Sequence, residues 1–188
     1  MSAPADAGPG ARRPALLSFA ERVDALSTRV GEAAAWLYPA LVAVLLVNVV
    51  ARYGFGRGSI ELEELQWHLC SAAFLLGLAY TYAADEHVRV DLLHARLGPR
   101  GRARVELLGA LVLLLPFSTF LTFEAFAFFA RAFALGERSP MPSGLPARWV
   151  IKLALCLALG LLSLQGLAAA ARSLTTLRAP PGARPERP

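Results

Sequence analysis

The sequence predicts an all-α membrane protein: four transmembrane helices, an amphipathic helix ahead of them at the bilayer interface, and a short interfacial helix in one cytoplasmic loop. Three observations predict it. Of 188 residues, 56% are hydrophobic and 18% charged, too apolar for a soluble domain of this length. Four stretches of 17 to 20 residues carry no Asp, Glu, Lys or Arg. All three Trp and four Tyr (Trp36, Tyr38, Tyr53, Trp67, Tyr80, Tyr82, Trp149) lie near an end of one of them, where amphipathic rings settle at the membrane surface.

Residues 1–14 form a Pro/Ala/Gly tract and residues 178–188 a Pro/Arg tract, so both ends are expected to be disordered tails. Over 15–32, Leu16, Phe19, Val23, Leu26 and Val30 recur at steps of three and four, while Glu21, Asp24 and Arg29 take the other side. That pattern predicts an interfacial amphipathic helix, or else a helix packed on the rest of the chain. The charge-free runs are Ala33–Ala51, Leu65–Ala84, Leu107–Phe123 and Leu153–Ala171, which place spans at about 33–51, 65–84, 107–127 and 151–171 within one transmembrane domain, 33–171. At 1.5 Å per residue each is long enough for the hydrocarbon layer, where a backbone must bond to itself. No short apolar region with a cleavage site precedes the first span, which is expected to stay uncleaved.

Charge gives the orientation. The segment before span one, the loop between spans two and three, and the tail hold 4, 5 and 4 Lys or Arg, against 2 and 4 in the other two loops. Thirteen against six puts both termini in the cytoplasm; the membrane is expected to be the inner one. The formal charge of +5 is therefore a topology signal, not a nucleic-acid surface. In the loop 85–106, Val88, Leu92, Leu93 and Ala95 predict the short interfacial helix, stopped by Gly98-Pro99, with Arg96, Arg100, Arg102 and Arg104 among phospholipid headgroups. The loop 136–148, with Pro140, Pro142 and Pro146, is expected to be a rigid non-helical connector.

Catalytic chemistry finds no foothold. Cys70 and Cys156 both sit inside apolar runs, and no phosphate loop, metal-ligand cluster or nucleophile–base pair appears, so no cofactor is expected and the chain does not read as an enzyme. Haem would need histidines at matching depth on facing spans, whereas His68 lies near the outer side and His87 and His94 in the inner loop.

The span centres hold no charge, unlike those of an ion-coupled carrier. Asn48, His68 and Glu124 approach from the outer ends. Glu124 is expected either to pair with Arg131, Arg148 or Lys152 at the interface or to serve an ion pathway. Arg52 is expected to clasp Glu63 or Glu64 across the first hairpin, or to face a partner subunit. Pro116 should kink span three. Small-residue pairs, Ala73 with Gly77, Ala154 with Ala158 and Gly166 with Ala170, are expected to let helices approach closely.

The segments NVVARYGF (48–55), ELEELQ (61–66), FLLGLAYTYAADEHVRVDLL (74–93) and ERSPMPSGLPARWVIK (137–152) resemble the small membrane subunit of tripartite ATP-independent periplasmic (TRAP) transporters. The resemblance covers about residues 33–170. It implies a non-catalytic subunit that braces a large permease subunit, in sodium-coupled uptake of an organic acid delivered by a periplasmic solute-binding protein. Residues matching the family pattern are Asn48, Arg52, Glu63, Glu64, Gly77, His87, Arg89 and Asp91. On that reading Arg52, Glu63 and Glu64 organise the outer hairpin, and His87, Arg89 and Asp91 fix the inner interfacial helix against headgroups or the large subunit. Two other classes stay open: a haem or quinone anchor of a redox complex, and a small autonomous exporter using Glu124.

Overall fold

The computed structural model describes residues 15–84 and 97–178; the expected tails up to 14 and beyond 178, and the interfacial helix expected within 85–96, lie outside them. Among the described residues the chain is helical, without strands: α1 (Ala15–Ala35), α2 (Leu37–Phe55), α3 (Ile60–Ala83), α4 (Pro99–Leu108), a π-helical stretch (Gly109–Leu114), α5 (Leu115–Ala134) and α6 (Trp149–Arg178).

Each boundary has a local cause. Pro39 has no N–H to return to Ala35, and the helix loosens at Trp36, between α1 and α2. Gly56 ends α2 at φ 65°, with the Arg57 N–H bonding back to the Ala51 carbonyl at 3.0 Å. The Ser59 hydroxyl caps α3 by accepting from the Leu62 N–H, and Glu61 and Glu63 complement the positive end of the helix dipole. Gly98-Pro99 starts α4 with proline at the first helical position, so Arg100, Arg102 and Arg104, expected in a loop, ride on a helix continuous with span three. The kink expected at Pro116 takes the form of the π-helical turn just before it, which widens the helix ahead of the proline ring.

Three helical runs are long and apolar enough to cross a membrane: Ala15–Phe55, interrupted only at Trp36, Pro99–Ala134 and Trp149–Arg178. α3 has the length, but Gln66, His68, Thr81 and two tyrosines dilute its apolar character.

α6 is the hub of the bundle. α1, α3, α4, the π-helical stretch and α5 all pack on it, whereas α2 leans mainly on α3, so α2 and α5 are the two edges. The contacts are made by small residues: Ala20, Ser27, Gly31 and Ala34 of α1, Ala73 and Ala79 of α3, Ser118, Ala125 and Ala132 of α5, and Ala158, Gly166, Ala168 and Ala171 of α6 are buried. Large apolar side chains such as Val47, Phe74 and Phe120 face outward. Small residues inside and large ones outside is the packing expected when the surroundings are lipid.

The sequence reading of α1 needs correction here. Its buried stripe is Ala20, Val23, Ser27, Gly31 and Ala34, sharing only Val23 with the predicted one, and Phe19 and Leu26 point outward. The helix packs lengthwise on α3 and α6, as the second of its two readings had it. At Gly31 a Cβ would run into the Tyr80 side chain, so the glycine sets how closely α1 and α3 meet. Gly77 plays no such part: the space beside it is open, although Ala73 is buried.

Candidate functional site

Polar side chains in this bundle fall into three groups, at one end, along the buried seam, and alone on an edge helix. At the end where α3 starts and α6 begins, two neighbouring carboxylates reach in different directions. Glu63 pairs with Arg52 of α2, whose guanidinium passes over Gly58. Both partners are close to half exposed, so the pair contributes about 0–1 kcal/mol. Glu64 turns to the connector 136–148, accepting from the Ser139 hydroxyl and, at 2.7 Å, from the Leu145 N–H. Those two donors, in that order, hold its carboxyl below the ordinary carboxylate range, with the field of Arg148 adding to them. The Ser59 hydroxyl, donating at 2.7 Å, likewise lowers Glu61.

The connector is built around Glu64. Ser139 N–H bonds to the Leu145 carbonyl at 3.2 Å and Arg148 N–H to the Glu137 carbonyl at 3.0 Å, closing the loop on itself. A Cβ at Gly144 would collide with Ser139 and come within 2.9 Å of the Glu64 carboxylate, so the glycine lets the chain close over it. Ala147 takes φ 63°, the one non-glycine residue with positive φ among the described residues, at a cost of about 1–2 kcal/mol. At the base Lys152, buried, pairs with Glu137 and sits 3.7 Å from the Phe128 ring centroid. Trp149 packs edge-on to Phe133 with centroids 5.2 Å apart, and against Phe129 at 6.4 Å. Beneath the connector an apolar cavity of about 320 Å³ is lined by Leu37, His68, Ala72, Leu145, Pro146 and Ala154 among others. The His68 Nδ1–H donates to the Glu64 carbonyl at 2.7 Å.

Along the seam, Gln165 is fully buried and donates to the Ser27 hydroxyl at 2.8 Å, joining α6 to α1. Ser163 donates to Ser118 at 3.0 Å, joining α6 to α5, and Arg172 pairs with Asp24 at 2.6 Å where α1 and α6 reach the other end. Sequence reasoning passed over all of these. The signal was Gln165, a lone amide in the charge-free run 153–171.

The remaining predicted residues divide. Asn48 is buried, unlike its neighbours on α2, and its Oδ1 has no partner. Glu124 lies exposed on α5 and forms none of the expected ion pairs: Lys152 is held by Glu137, and Arg131 lies two helical turns further on. His87, Arg89 and Asp91 fall outside the described residues. Among the described residues, no group of three or more His, Cys, Asp or Glu side chains could hold a metal ion.

Among the described residues the helices are thus joined by polar staples around a centre without ionisable groups. A family profile described as "Tripartite ATP-independent periplasmic transporters, DctQ component" matches residues 41–176. A protein of Haemophilus influenzae named as a TRAP transporter small permease protein is 32% identical over 77 residues, 40% of this chain and 48% of that protein; the match thus spans about half the length of that relative. No solved structure matches. The profile covers well over half of the chain, which therefore belongs to the DctQ component family of tripartite ATP-independent periplasmic transporters.

Proposed function

We propose that this chain is the small membrane subunit of a TRAP-type secondary transporter of the bacterial inner membrane, bracing a large permease subunit that carries the substrate and sodium sites. A periplasmic solute-binding protein delivers an organic acid to that pair. The family match over 41–176 carries the reading. Support comes from the bundle itself: among the described residues the buried polar groups are Ser27, Asn48, Ser118, Gln165 and Ser173, with Lys152 at one end, a set that can tie helices together and includes no carboxylate.

In this reading the chain crosses the membrane four times, α3 supplying the fourth span, with both termini in the cytoplasm and the Glu64 connector in the periplasm. Arg52, Glu63 and Glu64 organise the periplasmic end. His87, Arg89 and Asp91 hold the cytoplasmic loop against headgroups or the large subunit. Gly77, with open space beside it, sits where α3 can meet a neighbour, and Asn48 is turned inward from α2.

Co-expression tests this. Tagged chain should retain the large permease subunit in mild detergent, and proteoliposomes containing both should take up an organic acid only when the binding protein and a sodium gradient are present. Solute movement by this chain alone would remove the reading. Cysteine labelling at either terminus from the periplasmic side would remove its topology.

A further inference from the structure

α5 buries a single stripe, Ser118, Ala125 and Ala132, mainly against α6, and leaves its other sides uncovered. On the uncovered side Phe117, Phe120 and Phe123 are each more than 60% exposed, and Glu124 stands exposed among them. Two rulers give its depth. Trp149, a belt residue, packs on Phe129 and Phe133, and Lys152, which closes the charge-free run of α6, lies against Phe128. Glu124 precedes Phe128 by four residues, so it lies about 6 Å further into the apolar layer.

A carboxylate at that depth needs a counter-charge. Among the described residues none reaches it: Lys152 is committed to Glu137, and Arg131 lies seven residues along the same face, about 10 Å up the axis. Lipid exposure does not by itself call for an acid, since the equally uncovered α2 shows Val42, Leu46, Val47 and Val50 without a charge. A second copy fits badly, because two such faces related by a twofold axis along the membrane normal would set Glu124 against Glu124. We propose that this face of α5 docks a transmembrane helix of the large permease subunit that presents an arginine or lysine at the depth of Glu124. The two form an intersubunit ion pair walled off by Phe117, Phe120 and Phe123. The inference rests on the subunit reading above and names the surface that carries it.

The test co-expresses tagged full-length chain with the large subunit and measures recovery of that subunit relative to the chain's own abundance in the membrane. E124K should lower recovery about 10-fold or more, and E124Q by less. V47K, a lysine on the exposed face of α2, should leave it unchanged, and an acid introduced at the partner's basic residue should restore E124K. Cross-linking gives an independent readout: F120C, in a chain with Cys70 and Cys156 replaced by Ser, should join to the large subunit. Full recovery with E124K, equal losses in E124K and V47K, or a cross-link to a second copy would each overturn the proposal. Failure of the unmodified chain to retain any large subunit would instead overturn the subunit reading, and the docking face with it.

Discussion

α2 and α5 are both edge helices, and hydropathy scores them alike, yet the bundle holds them differently. α5 is fastened to α6 at three levels: Leu115 against Gly166, Ser118 against Ser163, and Phe129 and Phe133 against Trp149. α2 buries only Asn48 and is tied at its end by the Arg52–Glu63 pair. The adjacent acids of α3 divide the work, Glu63 serving α2 and Glu64 the connector that leaves α5. One edge is thus tied to the hub by specific contacts at several levels, while the other leans mainly on α3.

Overfilling the α5–α6 contact should break this contrast most severely. A Cβ at Gly166 would already lie 3.1 Å from Leu115 Cγ, so G166L should cost about 1–3 kcal/mol in thermal unfolding in detergent micelles. V47L, on exposed α2, should change almost nothing. Equal shifts would mean that the two edges are held alike.

Next in size is the Glu64 anchor. Its folded-state pKa lies below that of a free carboxylate, so its contribution is complete above the free value and fades as pH falls through the lowered one. With Trp36 and Trp67 replaced by Phe, Trp149 emission should shift to the red over that acid range. E64Q should be red-shifted already at neutral pH and flat with pH, and E63Q should behave like the unmodified protein. An acid response surviving in E64Q would assign the titration elsewhere.

S163A removes the hydrogen bond to Ser118 and the longer 3.5 Å contact with Thr122, and should lower α5–α6 stability by about 0.6 kcal/mol, the usual worth of an interhelical hydrogen bond between membrane helices. R52A should have the smallest effect, about 0–1 kcal/mol and vanishing in high salt, because both partners of its pair face solvent. A loss with R52A exceeding that of S163A would reverse the ranking of the two edges.

The helical character was legible in the sequence from its charge-free runs, and the non-helical connector from its prolines; the break at Trp36, inside the run 33–51, was not. The packing faces were not. Periodicity of large apolar residues marked Phe19 and Leu26 as one apolar face of α1, turned to the bilayer or to the rest of the chain, and they point outward, because lipid solvates such side chains as well as protein does. Close approach then selects Ala20, Ser27 and Gly31. The division of roles between Glu63 and Glu64 depended on where a loop some 75 residues later would fold, as the span from Glu64 to Ser139 shows. Ala147 carries no local mark of its left-handed backbone, since alanine is disfavoured there and only the closure of the connector imposes it.

The π-helical stretch Gly109–Leu114 acts as a phase shifter. A wide turn carries about one residue more than an α turn, which rotates everything beyond it by roughly 100° relative to everything before it. The compass bearing of Glu124 around the bundle is therefore set ten to fifteen residues upstream, next to Pro116, and not by the spacing within α5. Lineages that gain or lose a single residue there would swing their acidic side chain to another quarter of the membrane plane while keeping every α5 residue unchanged.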